Sequence, residues 1–83
     1  MEYIIATYRS RNVTYKAYEF MSSNGIVATI VSTPQKANVG CGLSVKFSRA
    51  DFDKVSQYLA SQETFAGFFA VRQTFGGTMV VRI

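Results

Sequence analysis

An α+β domain with one sheet and two helices is the fold class predicted by this sequence, and three observations predict it. Two segments have helical periodicity, around residues 13–21 and 52–59, and the segments between and beside them are rich in β-branched and aromatic residues. Turn formers punctuate the joins at Gly25, Pro34, Gly40, Gly42 and Gly76-Gly77. A chain of 83 residues supports one modest core, so residues 1–83 read as a single domain. The predicted order is strand, helix, strand, strand, helix, strand, strand. With both helices on one face and right-handed crossovers, that order leads to a ferredoxin-like split βαβ sandwich (βαββαβ) with an added C-terminal strand.

The first strand, Glu2 to Tyr8, is rich in Tyr, Ile and Thr but alternates poorly, as expected of a central strand. Arg9-Ser10-Arg11-Asn12 interrupts it, with Ser10 as the expected N-cap and Asn12 as its competitor. Val13, Ala17, Phe20 and Met21 then fall at i, i+4, i+7 and i+8 and give the first helix one apolar face. Gly25 suits the left-handed position past its end. Ile26 to Ser32 is a β-branched strand stopped by Pro34. The loop that follows, about eight residues running to Gly42, exceeds a hairpin connection and is expected to hold a helical turn near Gln35 to Asn38. In the third strand Leu43, Val45 and Phe47 face one way and Ser44 and Lys46 the other. By that parity Cys41 belongs to the packed side. Ser48-Arg49-Ala50-Asp51 has a capping-box form and opens a second helix with Phe52, Val55 and Leu59 on one face, ending near Gln62. Phe65 to Phe75 is an aromatic strand, and Gly76-Gly77 turns it into a last strand over Thr78 to Ile83.

Composition narrows the possible chemistry. The net charge of +4 comes from scattered Lys and Arg without a run of like charge, which reads as solvated surface and disfavours nucleic acid as a partner. There is no histidine and only one cysteine. Cys-His and Ser-His catalytic pairs are therefore excluded, and a metal site is not expected. Asp51 and Asp53 read as helix-start carboxylates. No apolar run approaches the ~20 residues needed to cross a bilayer. The segment Met1 to Ile5 enters a strand pattern without the features of a secretory signal. A single cysteine points to a reducing cytoplasm, and no cofactor is expected.

Cys41 lies between Gly40 and Gly42, which leave it without flanking side chains and permit a tight bend that displays the thiol. The competing reading is that a lone cysteine fills apolar space, and on spacing alone that reading is slightly ahead. The predicted topology adds a further expectation. The end of the first strand, the start of the first helix and the loop from Thr33 and Pro34 to Gly42 should meet at one end of the sheet. Cys41 would there lie near the amides of Ser10, Arg11 and Asn12, with Arg9, Ser10, Arg11 and Lys36 as candidates to stabilise a sulfur anion.

Four pieces of the chain carry a resemblance to a known family: Ile5-Ala6-Thr7-Tyr8-Arg9-Ser10, Asn24-Gly25-Ile26, Thr33-Pro34, and Cys41-Gly42-Leu43-Ser44-Val45-Lys46-Phe47. In this order and spacing, from Tyr3 to about Leu59, the chain resembles the small selenium/sulfur carrier protein-like domain family. The resemblance implies a carrier, rather than an independent enzyme, whose Cys41 holds sulfur or selenium as a persulfide or selenopersulfide. Its partners would be donor and acceptor enzymes. The alternative is a non-catalytic protein-binding or regulatory module with a structural Cys41. Such a module would use Phe65, Phe68, Phe69 and Phe75 and an open last strand for association, including homo-oligomerisation.

Overall fold

The first strand, β1 (Glu2–Tyr8), shows no alternation because both of its faces are covered: every residue from Ile4 to Tyr8 is buried. In the computed structural model, which describes residues 2–83, it is followed by α1 (Arg11–Ser23), β2 (Ala28–Ser32) and β3 (Leu43–Phe47). A 3-10 turn (Arg49–Asp51) then leads into α2 (Phe52–Ser61), β4 (Phe65–Thr74) and β5 (Gly77–Arg82). The five strands form one sheet in the order β2-β3-β1-β4-β5, and every neighbouring pair is antiparallel. This is the ferredoxin-like split βαβ sandwich with its extra C-terminal strand.

Both helices pack on one face, where Val13, Ala17 and Met21 of α1 and Val55 and Leu59 of α2 meet Ile4, Ala6, Tyr8, Val45, Phe47, Phe68 and Ala70. Stacking of Phe20 on Tyr58, with ring centroids 3.6 Å apart, joins the two helices to each other. The opposite face is covered differently. Ala37 and Val39 of the long β2–β3 loop fold back over Ile5, Phe69 and Val71, so the loop acts as a flap on the sheet. Its base is closed by a hydrogen bond from the Thr33 amide to the Gly42 carbonyl (2.8 Å), the close-ended form of an Ω-loop. A turn spans Gln35 to Ala37 within it, where the helical turn was expected.

Three boundaries differ from the sequence reading, each for a local reason. β2 begins at Ala28, because the Ile26 amide is spent on the Met21 carbonyl (2.9 Å) and the Gly25 amide on Ser22 (3.2 Å), the paired bonds of a Schellman helix end. Ser48 caps the 3-10 turn through the Ala50 amide, so α2 starts only at Phe52. Phe75 lies in the β4–β5 turn and is fully exposed.

The other three aromatics of β4 are divided between the faces. A register shift, with Thr7 opposite Gly67 and Tyr8 opposite Phe65, leaves Ala66 as a β-bulge. Without it, Phe65 and Phe68, three residues apart, would point to opposite faces. With it, both enter the helix-side core in an edge-on series with Tyr8 and Phe52, while Phe69 packs beneath the flap. No helix among the described residues is long and apolar enough to cross a membrane.

Candidate functional site

Cys41 is placed by its neighbours in the chain. Its amide donates to the carbonyl of Tyr8, the last residue of β1, at 2.9 Å. This bond carries the β1–β3 pairing past its last regular partners, Thr7 and Ser44. Such close passage requires glycine on one side: a Cβ on Gly40 would lie 2.7 Å from the Tyr8 carbonyl oxygen, and the Gly40 φ of 85° disfavours any other residue. Gly42, at φ 96°, makes the bend into β3. Thr33 holds the other side of the loop base, with its hydroxyl 2.6 Å from the buried Ser44 hydroxyl. Pro34 receives the Ala37 amide at 3.0 Å. Thr33, Gly40 and Gly42 thus build the base of the loop that carries Cys41, and Pro34 opens the turn that follows Thr33.

The thiol is free and partly exposed. It sits on the helix side of the sheet, as strand parity implied, although the regular strand starts two residues later. Its Sγ lies 3.7 Å from the hydroxyl of Thr14 in the first turn of α1 and 3.8 Å from the Leu43 carbonyl. The end of β1, the start of α1 and the β2–β3 loop thus converge at one end of the sheet.

The structure redistributes the expected anion-stabilising residues. Ser10 is the N-cap of α1, and its hydroxyl accepts from the Val13 amide, so it is engaged by the helix. Arg9 and Arg11 flank this end with exposed side chains, and neither forms an ion pair among the described residues. Lys36 is displaced from the site. Its ammonium donates to the carbonyl of Thr78, which pairs with Gln73, one residue beyond the Arg72 that faces Glu2. That is the start of β1, whereas Cys41 lies at its end, about 20 Å away along a seven-residue strand. The flap runs lengthwise over the sheet, and this geometry carried Lys36 away.

Thr14 is the residue that sequence reasoning missed. It lies one position beyond Val13 in the apolar stripe and is fully buried, so periodicity absorbs it into the core. The available signal was its place four residues after the N-cap, where its hydroxyl bonds the Ser10 carbonyl (3.1 Å). The flap itself bounds a depression of about 300 Å³ lined by Thr33, Pro34, Asn38 and Gly40 among others, and Cys41 is not part of its lining. No cluster of three or more metal-binding side chains occurs among the described residues.

Fold and site together define a small α+β domain that carries one loop-borne thiol at the end of its central strand. A family profile described as "Putative Se/S carrier protein-like" matches residues 2–66, and the chain belongs to that family. The match ends two residues into β4 and so covers the whole thiol site but not the C-terminal hairpin. No curated protein and no solved structure gave a significant match.

Proposed function

We propose that this protein carries sulfur or selenium on Cys41 and passes it to a partner enzyme. The observation that supports this most is the position of the chain's only cysteine, partly exposed on a glycine-bracketed bend in a member of the carrier-like family. The Cys41 thiolate attacks the terminal sulfur of a donor persulfide. A new S–S bond forms at Cys41, and the donor's S–S bond breaks to release its thiolate. An acceptor thiolate reverses the exchange and frees Cys41. Selenium in the terminal position follows the same balance, with no net oxidation. Donor and acceptor enzymes supply the acid and base groups, which a chain without histidine lacks near its thiol. A reducing cytoplasm suits the cycle, because it keeps the unloaded thiol free.

The test is persulfide loading from a cysteine desulfurase, followed by intact mass. The wild type should gain one sulfur that a reductant removes, and Cys41→Ser should gain none. Equal loading of the two proteins would refute the proposal.

A second reading, association through the C-terminal hairpin, is favoured by one feature. Met79 and Val81 on the edge strand β5, with Ile83 just past its end, are exposed apolar residues at alternate positions, and Phe75 in the preceding turn is exposed as well. Association through this edge, either with another copy or with another protein, is compatible with a carrier role. Sedimentation at rising concentration should show an oligomer that Val81→Lys returns to monomer. A wild type monomeric throughout would remove homo-oligomerisation.

A further inference from the structure

We infer that Thr14 is the hydrogen-bond donor that stabilises the Cys41 thiolate, through a hydroxyl that turns from the Ser10 carbonyl to the sulfur when the thiol loses its proton. The inference rests on Cys41 being the working group. Thr14 is 0 % exposed, so no water competes for its hydroxyl. That hydroxyl has one hydrogen and two neighbours, the Ser10 carbonyl at 3.1 Å and the Cys41 Sγ at 3.7 Å. The Ser10 carbonyl also receives the Thr14 amide at 3.1 Å. Turning the hydroxyl away therefore leaves that carbonyl satisfied.

In the thiol state the hydroxyl donates to Ser10, and the S–H has the Thr14 oxygen and the Leu43 carbonyl as acceptors. In the thiolate state the proton has gone to solvent and the sulfur only accepts. A rotation about one side-chain bond then gives it a buried donor. The Leu43 carbonyl has no proton to offer the thiolate, and Lys36 is held at the far end of the sheet. The Thr14 hydroxyl oxygen lies within hydrogen-bond distance of the sulfur, at 3.7 Å.

The competing explanation is that Thr14 only bonds back to its own helix, as threonines in helices often do. Iodoacetamide alkylation of the full chain at fixed neutral pH separates the two. Thr14→Val keeps the branched shape and loses the donor, and Thr14→Ser keeps the donor. Losing a hydrogen bond to a charged group lowers the thiolate population about tenfold, and the higher nucleophilicity of the less stabilised sulfur returns about threefold. Thr14→Val should therefore react about threefold more slowly than wild type, while Thr14→Ser stays near the wild-type rate. Equal rates for wild type and Thr14→Val, or a Thr14→Ser as slow as Thr14→Val, would overturn the inference. Should Thr14→Val fail to fold by circular dichroism, Thr14→Ala against Thr14→Ser makes the same comparison. No sulfur donor enters this assay, so a failure of persulfide loading with the Thr14 effect intact counts against the carrier reading alone.

Discussion

Gly40 sets how closely the Cys41 bend approaches β1. Its missing side chain lets the Cys41 amide reach the Tyr8 carbonyl, and a Cβ there meets backbone, which has little freedom to yield. Gly40→Ala should destabilise the fold by about 1–3 kcal/mol, the order of cost of a strained left-handed residue, as read by denaturant titration. Unchanged stability would mean that the flap base relaxes without holding Cys41 in register. Gly42 has the same kind of φ but open space at the Cβ position, so its replacement meets conformational strain without a clash. Both glycines were legible in the sequence as a bend around a cysteine. That Gly40 is fixed by contact with β1 was not, because the contact spans more than thirty residues.

At the scale of the element, α1 begins against its own electrostatics. Its first turn has no acidic residue and opens with Arg11, a cation at the positive end of the helix dipole. Arg11→Glu should raise stability by roughly 0.5 kcal/mol in thermal denaturation at low salt, with the gain shrinking as salt is added. A loss of stability would show that Arg11 has a favourable partner. The N-cap at Ser10 and the Gly25 helix end were readable because both rest on chemistry within a few residues. The bulge at Ala66 was not readable, since pairing with β1 creates it.

For the whole molecule, Tyr8 joins the layers. Its ring lies in the helix-side core against Phe65, and its hydroxyl donates to the Leu59 carbonyl in the last turn of α2 (2.8 Å). Burial, with a smaller contribution from Tyr58, pushes its ionisation well above that of a free tyrosine. The unfolded chain releases this proton near pH 10, while the folded chain retains it. Stability from Tyr8 is thus fully present below about pH 10 and declines as pH rises toward the folded-state value. Chemical denaturation from neutral pH to above pH 10 should show that decline, and Tyr8→Phe should flatten it. An identical slope in both proteins would place the high-pH loss elsewhere. Tyr8 thus ties the last turn of α2 to the end of β1 through its hydroxyl, while its carbonyl receives the Cys41 amide.

The order of elements, the two helix faces, the bend at Cys41 and the resemblance to a carrier-like family were all present in the sequence. They depend on periodicity, capping and turn chemistry, which act over a few residues. Tertiary structure alone decided that the β2–β3 loop lies along the open face of the sheet, that Lys36 belongs to the far end, and that the Thr14 hydroxyl lies 3.7 Å from the sulfur. Those outcomes come from packing and hydrogen bonding between segments far apart in the chain. The length of the loop and the apolar periodicity of the helix are compatible with more than one such arrangement, so neither pattern specifies it.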